Sequence, residues 1–445
     1  HYHLKIIHSF TYSQAIRRFT MLRHVRIPSA FLKGIVTLTL AMELVIFSMA
    51  HHAQAEFENP PVLSAKDILE PEQLKGPNHA VADEVENNGL FNHYSVTSPF
   101  GDFEAPSNTT LGFLINELNA IAEMKKVKTD DTAIAALKQS GENTVTGIKN
   151  LFTDTENTLK GAASGVQSLF HRASETVGKR KVTDAEDSKA QQLIGFSKSK
   201  GQIATKYHVN VYSRNKVLQE ELDRLAWADY LGGLGVGVAT SVVPGVGGIV
   251  LSTSGAARLL NEAINTTPAA ELWVQSRDKL LALGMDGDTV QLFLNNQMFS
   301  PALYTVMTSA LESMKGVDNL ELFLKVSLQA SSPEMARVIT ELTVLTAGYH
   351  THVTPLKSIE PMARITKAVN KDGAVAVILP TDHLIWSERV AGALMEISDN
   401  PAIAAKGVKE LWVLGDLSDM AHDEFKKAAW RVTTGAGKLL LPAKD

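Results

Sequence analysis

Residues 363–379 read ARITKAVNKDGAVAVIL, and this stretch decides the fold class. Residues 363–369 and the apolar run 374–379 flank Asn370-Lys371-Asp372-Gly373, a turn in which Asp-Gly supplies the positive dihedrals of a tight hairpin. Two paired strands are predicted. Downstream, a helix is expected over Leu384–Ile397, a strand over Leu411–Leu414, a helix over Asp419–Ala429 and a short strand over Arg431–Thr433. Strand, helix, strand, helix, strand implies right-handed crossovers and a parallel portion in a small mixed sheet.

Ligands of such sheets settle at the carboxyl ends of the strands. Two of those ends carry polar groups, Asp382-His383 and Gly415-Asp416. Two carboxylates and an imidazole that converge could share a proton or hold a divalent cation, so Asp382, His383 and Asp416 are the candidate catalytic residues. The competing expectation is structural: Asp382 and Ser418 are in place to cap the helices that follow them, and Asp416 can close a turn. There is no Gly-x-Ser-x-Gly elbow, no His-Glu-x-x-His and no cysteine nucleophile.

Upstream, residues 268–354 read as a run of helices at Pro268–Leu283, Asp288–Asn296, Pro301–Ser313, Leu320–Ala330 and Pro333–His352. A proline in the first turn loses no intrahelical bond, and short links make such helices antiparallel neighbours. Asp286-Gly287-Asp288 lacks the further oxygen ligands of a calcium loop and reads as a turn. His350 and His352 point apart on a helix and would form a joint metal site only if the helix had ended. The fold class expected is α+β, predominantly helical, with a small C-terminal mixed α/β unit of hairpin and βαβαβ-like order.

A helix over Val217–Tyr230 leads into 27 residues, 231–257, without any charge. Small residues recur there every four positions, as Gly233, Gly237 and Ser241 and again as Gly248, Ser252 and Ala256, with Pro244-Gly245 between. Small residues at that spacing let helix backbones approach closely, and the segment resembles a glycine-zipper helical hairpin. Each half is about 20 Å of helix against a hydrocarbon core of about 30 Å, so neither spans a bilayer alone. A membrane role requires one kinked helix through the whole segment or a hairpin that dips in; the alternative is tight packing in a soluble core. No nucleotide cradle is present: Val238 stands where a dinucleotide fold needs Gly or Ala, and Gly245–Thr253 lacks a lysine.

Residues 108–187 form a helical region. A helix capped at Asn108 or Thr109 places Leu111, Leu114, Ile115, Leu118 and Ile121 on one face. Gly147-Ile148 and Leu151-Phe152 recur as Gly165-Val166 and Leu169-Phe170, 18 residues on, which is five turns of helix and makes 143–178 an amphipathic stripe. Its polar face is mixed in sign, which favours a core-facing helix over an interfacial one. Lys179–Asp187 reads as a charged break. The six prolines of residues 56–107 suggest an extended arm with one short helix near Ala80–Glu86.

Residues 1–20 precede the first plausible initiator, Met21, and are expected to be upstream sequence. Residues 21–55 carry a basic stretch, an apolar run from Gly34 to Ala50 and Ala53-Gln54-Ala55, the three parts of a secretory signal peptide cleaved before Glu56. Glu43 breaks the apolar run, which argues against an uncleaved anchor. Between the arm and residue 445 lie the helical region 108–187, a helical domain at 188–354 and the α/β domain at 355–445.

The 445 residues include no cysteine, 44% hydrophobic residues and 43 Lys+Arg against 48 Asp+Glu. Six of those bases and one acid precede residue 56, leaving 37 against 47, a net charge of -10 that argues against nucleic acid. An export signal without cysteine fits a Gram-negative periplasm or the periplasmic face of a membrane. The expected function is therefore an envelope protein, noncatalytic, membrane-associated or scaffolding, with a membrane or a protein as partner and no cofactor. The alternative is a periplasmic enzyme, a metal-dependent hydrolase using Asp382, His383 and Asp416 with a divalent metal.

Overall fold

The computed structural model describes residues 57–129, 184–230, 255–362, 365–398 and 408–441. The expected signal peptide, the 143–178 repeat and residues 231–254 lie outside the described residues. The architecture is mixed α/β.

The stretch expected to be an extended arm is instead a sheet. Its strands are β1 (Val62–Ser64), β2 (Lys75–Gly76), β3 (His79–Val81), β4 (Glu84–Asn87), β5 (Asn92–Ser98) and β6 (Gly101–Ala105). They pair antiparallel in the order β1-β4-β5-β3-β2, with β6 also on β5. The short helix expected at Ala80–Glu86 is the end of β3 and most of β4. The physical reason lies in the inward positions: β5 buries Asn92, Tyr94 and Val96 and exposes His93, Ser95 and Thr97, while β4 buries Val85 and Asn87. Inward asparagines dilute the alternation of apolar residues that marks a strand. The prolines mark boundaries: Pro77 and Pro99 lie in the turns before β3 and β6, and Pro71 starts the single-turn helix Pro71–Leu74.

Helix α1 (Asn108–Lys126) follows, capped by Ser107, whose Oγ accepts the Thr110 N–H at 3.0 Å. The five apolar residues expected on one face are all buried. Helix α2 (Asp184–Lys206) begins inside the expected charged break, and α3 (Lys216–Tyr230) and α4 (Gly255–Thr266) both pack on it. Its glycines permit the approach. A Cβ on Gly195 would meet the Tyr230 ring at 2.4 Å, and one on Gly201 would meet the Asn265 carbonyl oxygen at 2.0 Å.

Helices α5 (Ala269–Ala282), α6 (Gly287–Leu294), α7 (Pro301–Ser313), α8 (Glu321–Ser327) and α9 (Pro333–His352) complete the helical body. Ser300 and Ser332 accept the N–H groups of Leu303 and Met335, each cap contributing about 1 kcal/mol, and a proline follows each. Asp286 accepts the Thr289 N–H, so Asp286-Gly287-Asp288 is a helix cap.

The C-terminal sheet has the order β13-β11-β9-β8-β7. Strands β7 (Leu356–Met362), β8 (Ile365–Asn370) and β9 (Val375–Leu379) run antiparallel, while β9, β11 (Lys409–Val413) and β13 (Trp430–Thr433) run parallel. Helix α10 (Glu388–Ser398) lies between β9 and β11, α11 (Asp419–Lys427) between β11 and β13, and α12 (Gly437–Leu440) near the end. Two-residue strands β10 (His383–Leu384) and β12 (Asp416–Leu417) pair beside them. β9 divides its side chains between two cores: Ala376 and Ile378 face the helical body, while Val375 and Val377 join Leu384, Trp386, Leu394, Phe425 and Trp430. Burial on both faces explains the unbroken apolar run 374–379. Each large apolar side chain so buried contributes about 1.5–3 kcal/mol.

Candidate functional site

The carboxyl ends of β9 and β11 meet through their main chains. Gly415 N–H donates to the Thr381 carbonyl at 2.9 Å and Asp416 N–H to the Asp382 carbonyl at 3.0 Å. A Cβ at Gly415 would lie 1.9 Å from the Asp382 carbonyl oxygen, so only glycine allows this contact. His383 and Asp416 are register partners and sit side by side. Asp382 does not join them. Consecutive residues of an extended chain point to opposite sides, and the Asp382 carboxyl is 5% exposed whereas Asp416 is exposed and uses Oδ1 to accept its neighbour's Leu417 N–H. Among the described residues, no group of three or more His, Asp or Glu is arranged to hold a metal ion.

The capping expectation also changes. The helix expected from Leu384 starts at Glu388, because residues 382–385 are occupied in main-chain pairing, and Ser387 rather than Asp382 accepts a first-turn N–H. Ser418 does cap α11 through the Ala421 N–H. Helix α9 runs through His352, and His350 Nδ1 accepts the Leu356 N–H at 2.9 Å. The two histidines therefore stay on different sides of a helix.

Asp382 holds two parts of the chain together. Its Oδ2 accepts the N–H of Asn92, first residue of β5, at 3.0 Å and the N–H of Asn108, first residue of α1, at 3.1 Å. The main chain adds to this joint: Asp382 and His383 donate to the Leu90 carbonyl and Ile385 to that of Gly89. Asn87 Nδ2 bridges Asn92 Oδ1 and the His383 carbonyl, and Tyr94 OH donates to Asn108 Oδ1. Burial raises the Asp382 carboxyl to about 7, outweighing the two N–H groups that favour its charged form, and negative Glu341 adds to the rise.

Glu341 and Arg337 were not among the expected site residues. They lie one turn apart on α9, ion-paired at 2.6 Å, with Glu341 2% exposed. Burial raises the Glu341 carboxyl against the pull of Arg337, and its Oε2 has no hydrogen-bond partner; neither does the buried Thr381 hydroxyl. The signal in the sequence is that Arg337 and Glu341 are the last Asp, Glu, Lys or Arg of a helix that continues for eleven more residues. Neither a protein-family model, nor a curated protein, nor a solved structure matches the chain. The geometry gives two separate arrangements: Arg337 and Glu341 pair on α9, and the Asp382 carboxyl fixes the main chain at the starts of β5 and α1.

Of the residues expected to line a membrane or helix-packing face, Gly233, Gly237, Ser241, Gly248 and Ser252 lie outside the described residues, and Ala256 lies in α4. Among the described residues no helix is long and apolar enough to cross a membrane.

Proposed function

We propose that the protein is an exported, noncatalytic component of a Gram-negative cell envelope, with a mainly helical body and a small C-terminal α/β unit, attached to membrane through the uncharged segment 231–257. The observation that carries this reading is that the two helices flanking that segment pack on one helix. Tyr230 at the end of α3 lies on Gly195 of α2, and α4, which starts at Gly255, packs on the same helix and brings its last residues, Asn265 and Thr266, onto Gly201. A charge-free chain of 24 residues, 231–254, thus connects two helices that pack on the same third helix. Such a base suits an apolar hairpin that dips into lipid without unfolding the body beneath it. The noncatalytic part of the proposal is supported by Asp382, whose carboxyl is engaged with the main chain of the N-terminal sheet.

Export is tested by expressing the chain from Met21 with a C-terminal tag in a Gram-negative host, fractionating the cells and sequencing the N-terminus. The expected product starts at Glu56 and is in the envelope fraction. Unprocessed protein in the cytosolic fraction would overturn the proposal.

A further inference from the structure

The chain contains one Asn-Gly pair, Asn88-Gly89, and it stands in the turn that joins β4 to β5. Asparagine is chemically labile, most of all before glycine, where no Cβ hinders the approach of the next amide nitrogen to its side chain. The reaction needs only water. The Gly89 nitrogen gives up its proton and attacks Asn88 Cγ; the N–Cγ bond forms, the Cγ–Nδ2 bond breaks, and Nδ2 takes up a proton and leaves as ammonia. Water then opens the ring at either carbonyl, leaving aspartate or an isoaspartate whose main chain is one carbon longer.

The turn places each of these atoms. Asn88 is exposed, while Gly89 is buried with φ +93°. The Gly89 N–H donates to Asn87 Oδ1 at 2.6 Å, and Asn87 is itself 5% exposed, so the proton that must leave first is shielded from solvent base. Asn88 Oδ1 accepts the Leu90 and Phe91 N–H groups at 3.1 and 2.9 Å, bonds that fix the side chain locally, and its Nδ2 lies 3.3 Å from His93 Nε2. Asn87 is held in turn from both sides of the joint between the N-terminal sheet and the C-terminal unit. Its Nδ2 donates to Asn92 Oδ1 at 2.8 Å and to the His383 carbonyl at 3.3 Å. The Gly89 carbonyl accepts the Ile385 N–H at 3.2 Å, and the Leu90 carbonyl those of Asp382 and His383 at 2.9 and 3.2 Å.

We propose that Asn88 is a site of spontaneous deamidation that the docked joint holds closed through Asn87, and that its conversion to isoaspartate keeps the joint from closing again. While the joint is docked, the Gly89 amide is occupied. When it opens locally, that amide is released to attack. The added main-chain carbon then displaces the Gly89 and Leu90 carbonyls from Ile385, Asp382 and His383, so opening leaves a covalent record.

The test is mass spectrometry of the peptide that carries residue 88, after the full chain has been incubated at pH 8; exchange of an amino for a hydroxyl group marks deamidation. Folded wild type is expected to deamidate at Asn88 about tenfold or more slowly than the same chain in guanidinium chloride. Asn87→Ala removes the acceptor of the Gly89 N–H, and its folded rate is expected to rise about tenfold or more. Asp382→Ala leaves the turn's own bonds in place and weakens docking, and a rise of about threefold or more is expected. Equal rates in folded and denatured wild type, or a folded Asn87→Ala no faster than wild type, would overturn the gate. An Asn88 that stays intact in the denatured chain would overturn the site. Should Asn87→Ala fail to fold, Asp382→Ala decides: a rate equal to that of wild type would separate Asn88 from the joint and overturn the proposal.

Discussion

Gly415→Ala is expected to destabilise the protein by more than about 3 kcal/mol, the range of a strained, overpacked core change. The added Cβ would sit 1.9 Å from the Asp382 carbonyl oxygen and 2.5 Å from its carbon. Both are main-chain atoms, so no rotamer relieves the clash. Separating the chains breaks the Gly415–Thr381 and Asp416–Asp382 hydrogen bonds and the β10–β12 pairing that depends on them. Gly195→Ala is a useful contrast, because the atoms it meets belong to the Tyr230 ring, which can swing aside. Urea denaturation followed by tryptophan fluorescence reads the difference, since Trp386, Trp412 and Trp430 all belong to the C-terminal unit. A Gly415→Ala midpoint within error of wild type would show that the strand ends are not laced as described.

Asp382→Ala is expected to cost about 2–5 kcal/mol at pH 6, because it leaves the buried Asn92 N–H and the half-buried Asn108 N–H without an acceptor, each at about 1–3 kcal/mol. His383→Ala and Asp416→Ala are expected to cost less than about 1 kcal/mol, the usual range for side chains that are half-buried or exposed with local partners. This asymmetry separates the two roles considered for these residues. A catalytic trio would lose activity equally at all three positions and little stability. A joint loses stability at Asp382 and almost none at the other two. Comparable stability losses at all three positions, measured by the same denaturation series at pH 6, would contradict the joint.

The C-terminal unit was legible because its strands are buried on both faces, so the run 374–379 is unbroken and the Asp-Gly turn fixes the hairpin. Helices that start Ser-Pro, at Ser300-Pro301 and Ser332-Pro333, were legible to the residue, since cap and first-turn proline both act locally. The N-terminal sheet was hidden by its own chemistry: His79, Asn87 and Asn92 occupy inward positions, and only the fold supplies the partners that let them be buried. Strand β7 was hidden as well. It carries a register shift between Leu356 and Ser358, and its Pro361 is tolerated because β7 is the sheet edge. Asp382 was legible as a carboxyl at a strand end. That Asp382 and His383 diverge follows from strand parity, but the partners of Asp382 lie about 270 to 290 residues away and no local pattern announces them.

Attachment to membrane through residues 231–257 is measured most directly by an alkaline wash of membranes from cells that express the full chain. Retention in the membrane pellet after the wash is the expected result. Release of all of the protein into the soluble fraction would contradict insertion and leave the uncharged segment as part of a packed core.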